Sequence, residues 1–183
     1  MKSFLYALRE IIEIVLVAVL VVFGVRSFLV QPFLVSGASM EPNFHGGDYI
    51  LINELSYRFR APERGEVVVF RYPGDERTFF IKRIIGLPGE RVVITDGKLY
   101  IYNKEHPQGE LITEQQYLPM DLKTAGEKDV TLSDSEFFVM GDNRDASFDS
   151  RQWGPLKKTE VVGSVWVRLW PLSKVMAFEK PSY

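Results

Sequence analysis

The sequence predicts a mainly-β domain behind a single N-terminal apolar helix. Three observations carry that reading. An apolar run opens the chain, short β-like runs separated by Gly, Pro and Asp follow Pro32, and no segment after Val30 sustains a 3.6-residue period. At 183 residues and 46% hydrophobic, the chain is large enough for one real core and short for two independent domains.

The first element is the apolar run. Ile14–Val25 reads IVLVAVLVVFGV, without a charge, but a membrane span needs about 20 apolar residues. Extending it to Ile11–Val30 supplies the length and admits only Glu13 and Arg26, near the ends, where long side chains bend out to the interface. Lys2 and Arg9 precede the span and predict a cytoplasmic N-terminus. A cleavable signal peptide would need an A-x-A-like site, which Gly24–Leu29 lacks. A buried core helix fails because the uncharged stretch Ser27–Met40 would leave a soluble protein with too much apolar surface. The expected organisation is therefore a stub and transmembrane anchor over 1–30 and an outer domain over 31–183. The strip Phe28–Val35 is expected to dip into the outer leaflet.

The strands come next. Asp48–Asn53, Glu66–Tyr72, Thr78–Leu87, Arg91–Thr95, Lys98–Tyr102, Glu136–Met140 and Val161–Leu169 are rich in the residues that favour a pleated surface. Asp96-Gly97 supplies the positive φ angles of a tight hairpin turn. The polar segment Asn103–Asp129 predicts an inserted subdomain, with bounds near 96–135.

Composition excludes several functions. A net charge of −2, from 22 basic and 24 acidic residues, argues against nucleic acid as a partner. The absence of cysteine removes disulfides and thiol chemistry. His45 and His106 stand in no metal-ligand spacing, so neither a metal nor a cofactor is expected.

Lys82 is the first candidate for chemistry. Phe80, Lys82 and Ile84 share one face of their strand, and Phe79, Ile81, Arg83 and Ile85 the other. A lysine among apolar side chains loses hydration of its charged form, its pKa falls, and the neutral amine can take a proton from a serine. Ser39 stands in Ser36-Gly37-Ala38-Ser39-Met40-Glu41-Pro42, directly after the apolar segment. That pattern is neither a G-x-S-x-G elbow nor an S-x-x-K motif. His45 offers a Ser-His-Asp alternative, but its setting before Asp48 suits a turn. In the polar block Met140–Gly154, Asp142, Asp149, Arg144, Arg151 and the more distant Arg83 offer ion pairs, and Ser147 and Ser150 offer hydroxyls to a neutral lysine.

Taken together, Ser39-Met40-x-Pro42, Gly47-Asp48-Tyr49-Ile50, Lys82-Arg83-Ile84-Ile85-Gly86-Leu87-Pro88-Gly89 and Gly141-Asp142-Asn143-Arg144 resemble the ordered boxes of bacterial type I signal peptidases. The resemblance implies an all-β catalytic fold shared with LexA-like repressors and carrying a variable inserted subdomain. It also implies a membrane-bound serine endopeptidase that removes signal peptides from exported preproteins after Ala-x-Ala-like residues. Ser39 would be the acylating nucleophile and Lys82 its base. Ser147 would orient the lysine, Asp142 pair with Arg83, and Asp149 pair with Arg151. Some members carry a serine two residues before the nucleophile to complete the oxyanion hole. Gly37 stands there, so donation would rest on backbone N–H groups, that of Ser39 first. Asn43 replaces the threonine common after the motif proline, as expected packing. The implied partners are signal peptides, the lipid bilayer and the secretion translocon, with the catalytic domain on the outer face of the cell membrane.

Three rivals share part of this pattern. LexA-like repressors carry a DNA-binding helix module that is missing here. Archaeal and eukaryotic-type signal peptidases have histidine in place of Lys82. A non-catalytic membrane-anchored β-domain would not need both Ser39 and Lys82.

Overall fold

The computed structural model describes residues 2–28, 30–120, 122–179 and 181. A 27-residue helix, α1 (Lys2–Phe28), leads into strand β1 (Val30–Leu34). β2 (Tyr49–Asn53), a helical turn α2 (Ser56–Phe59), β3 (Val67–Tyr72) and the long β4 (Asp75–Gly86) follow. β5 (Arg91–Thr95), β6 (Lys98–Tyr102), β7 (Glu110–Leu111) and β8 (Lys128–Thr131) precede β9 (Glu136–Met140). The chain closes with α3 (Ser150–Trp153), β10 (Leu156–Lys157), β11 (Val161–Trp170) and β12 (Met176–Ala177).

Every expected strand is present, and the mainly-β reading holds. The sequence reading missed the short β7, β8, β10 and β12, and it missed β1 because its residues continue the apolar run of the helix and show no change of period. The strand is made by β2, which pairs with it antiparallel from Val30↔Asn53 to Leu34↔Tyr49. Ile11 to Val21 of α1 carry exposed apolar side chains. Among the described residues no helix is long and apolar enough to cross a membrane. The expected span Ile11–Val30 extends over Leu29 and over side chains at 22, 23 and 25–30, which lie outside the described ones.

The main sheet runs β1-β2-β11-β3-β4-β9-β10, with β12 added to β11. Each face has its own core. Ile50, Ile52, Val67 and Val69 pack with Met40 and Phe44 on one side; Val68, Phe70, Ile84 and Val139 pack on the other. A second sheet, β7-β6-β5-β8, buries Val92, Ile94, Leu99 and Ile101 against Ile85, Phe138 and Met140. Gly86 permits this junction: a Cβ there would sit 2.5 Å from Val92 Cγ2.

Candidate active site

Ser39 lies in the loop between β1 and β2. Hydrogen bonds from Val35 N–H to the Asp48 carbonyl and from Gly47 N–H to the Val35 carbonyl, both 2.9 Å, close the base of this loop. Met40 and Phe44 anchor it in the core. Gly37 takes φ +83°, a left-handed conformation costly for other residues. At the other margin, Asn143 holds the loop through two contacts. Its backbone N–H donates to the Ser39 carbonyl and its side-chain amide to the Ala38 carbonyl, both at 3.1 Å.

Lys82 reaches this loop from β4, where it lies opposite Val68. It is 4% exposed, and Nζ stands 2.7 Å from Ser39 Oγ. Nζ also donates to the Ile81 carbonyl at 3.0 Å and lies 5.3 Å from the centre of the Phe80 ring. Among the described residues Lys82 forms no ion pair. Burial therefore pulls its pKa down to about 8, although the carboxylates of Asp149 and Asp142 pull the other way. A substantial neutral fraction is available at mildly alkaline pH, and a neutral Nζ at 2.7 Å can accept the Ser39 proton.

The cations and carboxylates around this pair are tightly matched. Arg83, the next residue, donates through Nε to Asp142 Oδ1 at 2.8 Å and through Nη2 to Oδ2 at 2.7 Å. It also donates to the Gly65 carbonyl at 2.7 Å, with its guanidinium 3.9 Å from the centre of the Tyr117 ring. Arg151 grips Asp149 through Nε and Nη2, both at 2.9 Å. Burial pushes the Asp149 carboxyl up, but Arg151 and the Gly141 N–H, 3.0 Å away, outweigh it and hold the group below the usual range.

Ser147 is buried, and its hydroxyl makes no hydrogen bond of good geometry, although it lies near enough to Asp149 to favour the carboxylate. Gly141 makes room: a Cβ there would collide with Ser147 Oγ and the Ser39 carbonyl. Among the described residues no group accepts from the Ser39 N–H.

Some candidates go elsewhere. Ser150 accepts from the Val139 N–H at 3.0 Å and so serves the backbone instead of the lysine. Arg144 pairs with Glu114 from the polar inserted segment. His45 uses its backbone N–H on Asp48 at 3.0 Å, and its ring makes no hydrogen bond to Ser39 among the described residues. Asn43 does more than pack: its amide donates to Asp142 Oδ2 at 2.8 Å and to the Tyr117 carbonyl at 2.9 Å. Glu114, Tyr117 and the two contacts of Asn143 were missed by sequence reasoning. Only the placement of Asn143 within a recognised box hinted at a role.

Beside Ser39 and Lys82 runs a cleft of about 360 Å³, walled by Phe33, Val35, Ile50, Phe79, Ile81 and Phe148. β4 pairs with β3 from Asp75 onward, whereas β9 pairs with it only at Arg83–Gly86. The backbone edge of β4 just before Lys82 is thus open toward the cleft among the described residues. The arrangement brings together a serine hydroxyl, a buried amine of lowered pKa, a backbone N–H that no described group accepts from, and an open strand edge.

The model of the family described as "Signal peptidase, peptidase S26" matches residues 8–170. A probable signal peptidase I-2 from Synechocystis sp. is 36% identical over 172 residues, covering 91% of this chain and 75% of that protein. Signal peptidase IB from Staphylococcus aureus is 33% identical over 180 residues, covering 91% of this chain and 93% of that protein. A crystal structure of a signal peptidase I from Enterococcus faecalis V583 covers 57% of this chain and 97% of its own at 28% identity, with a TM-score of 0.47. By the extent of the family match and of these relatives, the chain belongs to the signal peptidase family, peptidase S26.

Proposed function

We propose that this chain is a membrane-anchored serine endopeptidase that removes signal peptides from exported preproteins by a Ser39/Lys82 acyl-enzyme mechanism. One observation carries the reading: a buried lysine without an ion-pair partner among the described residues stands 2.7 Å from a serine hydroxyl at the side of an apolar cleft. An extended substrate adds as a strand along the open edge of β4, and shallow apolar walls favour small side chains at alternating positions. Lys82 takes the Ser39 proton as Oγ attacks the scissile carbonyl. The Ser39 N–H stabilises the oxyanion, without a hydroxyl at position 37. Lys82 then protonates the departing amine, leaving an acyl ester on Ser39. Water, deprotonated by Lys82, releases the signal peptide and restores the hydroxyl. Ser147 is assigned the orienting of the lysine during the reaction, and the Arg83–Asp142 and Asp149–Arg151 pairs fix the geometry.

On this reading residues 1–30 anchor the chain in the cell membrane, with the N-terminus inside and residues 31–183 outside. The second sheet is the inserted subdomain. Exposed Ile11, Ile12, Ile14 and Leu16 on α1 support the anchor, since lipid is the solvent such a surface favours. Lipid and the secretion translocon are the implied neighbours. The test is cleavage of a preprotein by the detergent-solubilised chain, comparing wild type with Ser39→Ala and Lys82→Ala. Cleavage after small residues that vanishes in both variants is expected. Survival of activity in Lys82→Ala would assign the base elsewhere.

A further inference from the structure

Two buried charges stand outside the mechanism above. Asp48 immediately precedes β2 and Arg168 lies in β11; they are 3% and 5% exposed. Arg168 Nη1 donates to Asp48 Oδ2 at 2.7 Å and to the Asn43 carbonyl at 3.0 Å. Its Nε donates to the Lys174 carbonyl at 3.1 Å, and Nη2 meets Met176 Sδ at 2.9 Å. Asp48 Oδ2 also accepts the His45 N–H at 3.0 Å. One guanidinium–carboxylate pair thus gathers Asn43, His45 and Asp48, the returning half of the loop whose outgoing half carries Ser39.

The other end of this linkage is the site. The Asn43 amide reaches Asp142, which Arg83 grips from beside Lys82. The Ser39 loop is therefore suspended between Asn143 at the nucleophile and Arg168 behind it. Stability alone does not account for the device. Phe44 and Phe178 stack beside Arg168 with ring centres 4.4 Å apart, and an apolar pair of similar volume would suit such a place as well or better. An apolar pair could not hold the Asn43 carbonyl and the His45 N–H.

We propose that Arg168, through Asp48, is a positioning residue that sets the distance and direction of Ser39 Oγ relative to Lys82. The proposal rests on the reading of Ser39 as the nucleophile. Nucleophile placement is steeply tied to rate: about 1 Å of error costs on the order of 100-fold. Asn43, His45, Asp48 and Arg168, the part of the loop that the pair holds, do not line the cleft, so the loss is expected in kcat and not in KM.

The experiment measures kcat and KM for preprotein cleavage by the full chain in detergent, each variant well below its own melting temperature. Arg168→Met is expected to lower kcat on the order of 10- to 100-fold with KM unchanged. Arg168→Lys is expected to recover part of it, because an ammonium keeps the charge beside Asp48 but, without the planar fork, reaches fewer of the acceptors. Asp48→Asn, which keeps the size and an acceptor, is expected to fall between. Should Arg168→Met fail to fold, Arg168→Lys and Asp48→Asn carry the same test. A lowered melting temperature with wild-type kcat, or a change confined to KM, overturns the proposal. Full activity in Ser39→Ala overturns the nucleophile assignment and this proposal with it, which separates the two failures.

Discussion

Lys82 and Arg83 are consecutive in β4 and almost equally buried, at 4% and 5% exposure, yet their surroundings differ completely. Arg83 faces a carboxylate that meets it with two bonds, a backbone carbonyl and an aromatic ring. Lys82, on the opposite face, has a hydroxyl, a carbonyl and the Phe80 ring, and no carboxylate within ion-pair reach among the described residues. Burial penalises both charges. Asp142 compensates the Arg83 guanidinium with two hydrogen bonds. Lys82 is pulled down to about 8 because nothing near it compensates enough. One strand thus separates an ion-paired cation from an amine of lowered pKa according to which face receives the carboxylate.

Replacing each cation by methionine tests that contrast most severely. Lys82→Met is expected to cut cleavage by on the order of 100- to 10,000-fold. Its urea midpoint should hold or rise, since an uncompensated buried amine is removed. Arg83→Met should leave Asp142 buried without its partner and cost about 3–5 kcal/mol in urea unfolding. A Lys82→Met protein that unfolds early, beside a stable Arg83→Met protein, would break the comparison.

The pH dependence sharpens it. On the proposed mechanism activity needs the neutral amine, so kcat/KM should rise through pH 8 to a plateau. Two units lower it should lie about 100-fold beneath that plateau. Stability follows the same group. Between pH 8 and 10.5 the unfolded lysine holds a proton that the native one lacks. Lys82 therefore makes stability rise with pH across that window, and its contribution is lost as pH falls through it. Lys82→Met should flatten the slope in urea unfolding measured from pH 7.5 to 10. A flat kcat/KM profile through pH 8 would show that Lys82 does not titrate as the base.

The smallest expected effect is that of Ser147→Ala. The hydroxyl is buried without a well-formed bond, so its loss should leave the melting temperature unchanged or slightly raised. If it orients Lys82, kcat should still fall about 10-fold. Equal activity would remove Ser147 from the site.

Much of the fold was legible because strand signals are local. The runs at Val67–Tyr72, Arg91–Thr95 and Lys98–Tyr102 announce themselves through β-branched and aromatic residues, and Asp96-Gly97 marks the turn between two of them. Lys82 in an apolar strand was likewise readable, and so was the expectation that its pKa falls. The roles assigned to Ser147, Asp142 and Asp149 came from resemblance, since no local pattern carries them. What escaped was the partner of each buried polar group. Ser150 turned to the Val139 backbone, Arg144 to Glu114, and Asn43 to Asp142.

The sequence by itself determined seven of the strands, the alternation that buries Lys82, and the loops that hold Ser39 and Asp142. Those follow from a two-residue period and from turn chemistry, which act over a few neighbouring residues. Only the tertiary structure decided that Lys82 meets Ser39, 43 positions away, that Arg83 meets Asp142 across 59, and that Arg168 meets Asp48 across 120. Such pairings depend on which strands become neighbours. β11 lies between β2 and β3, far from its place in the chain, because burying both faces of one sheet rewards that order and no local preference encodes it.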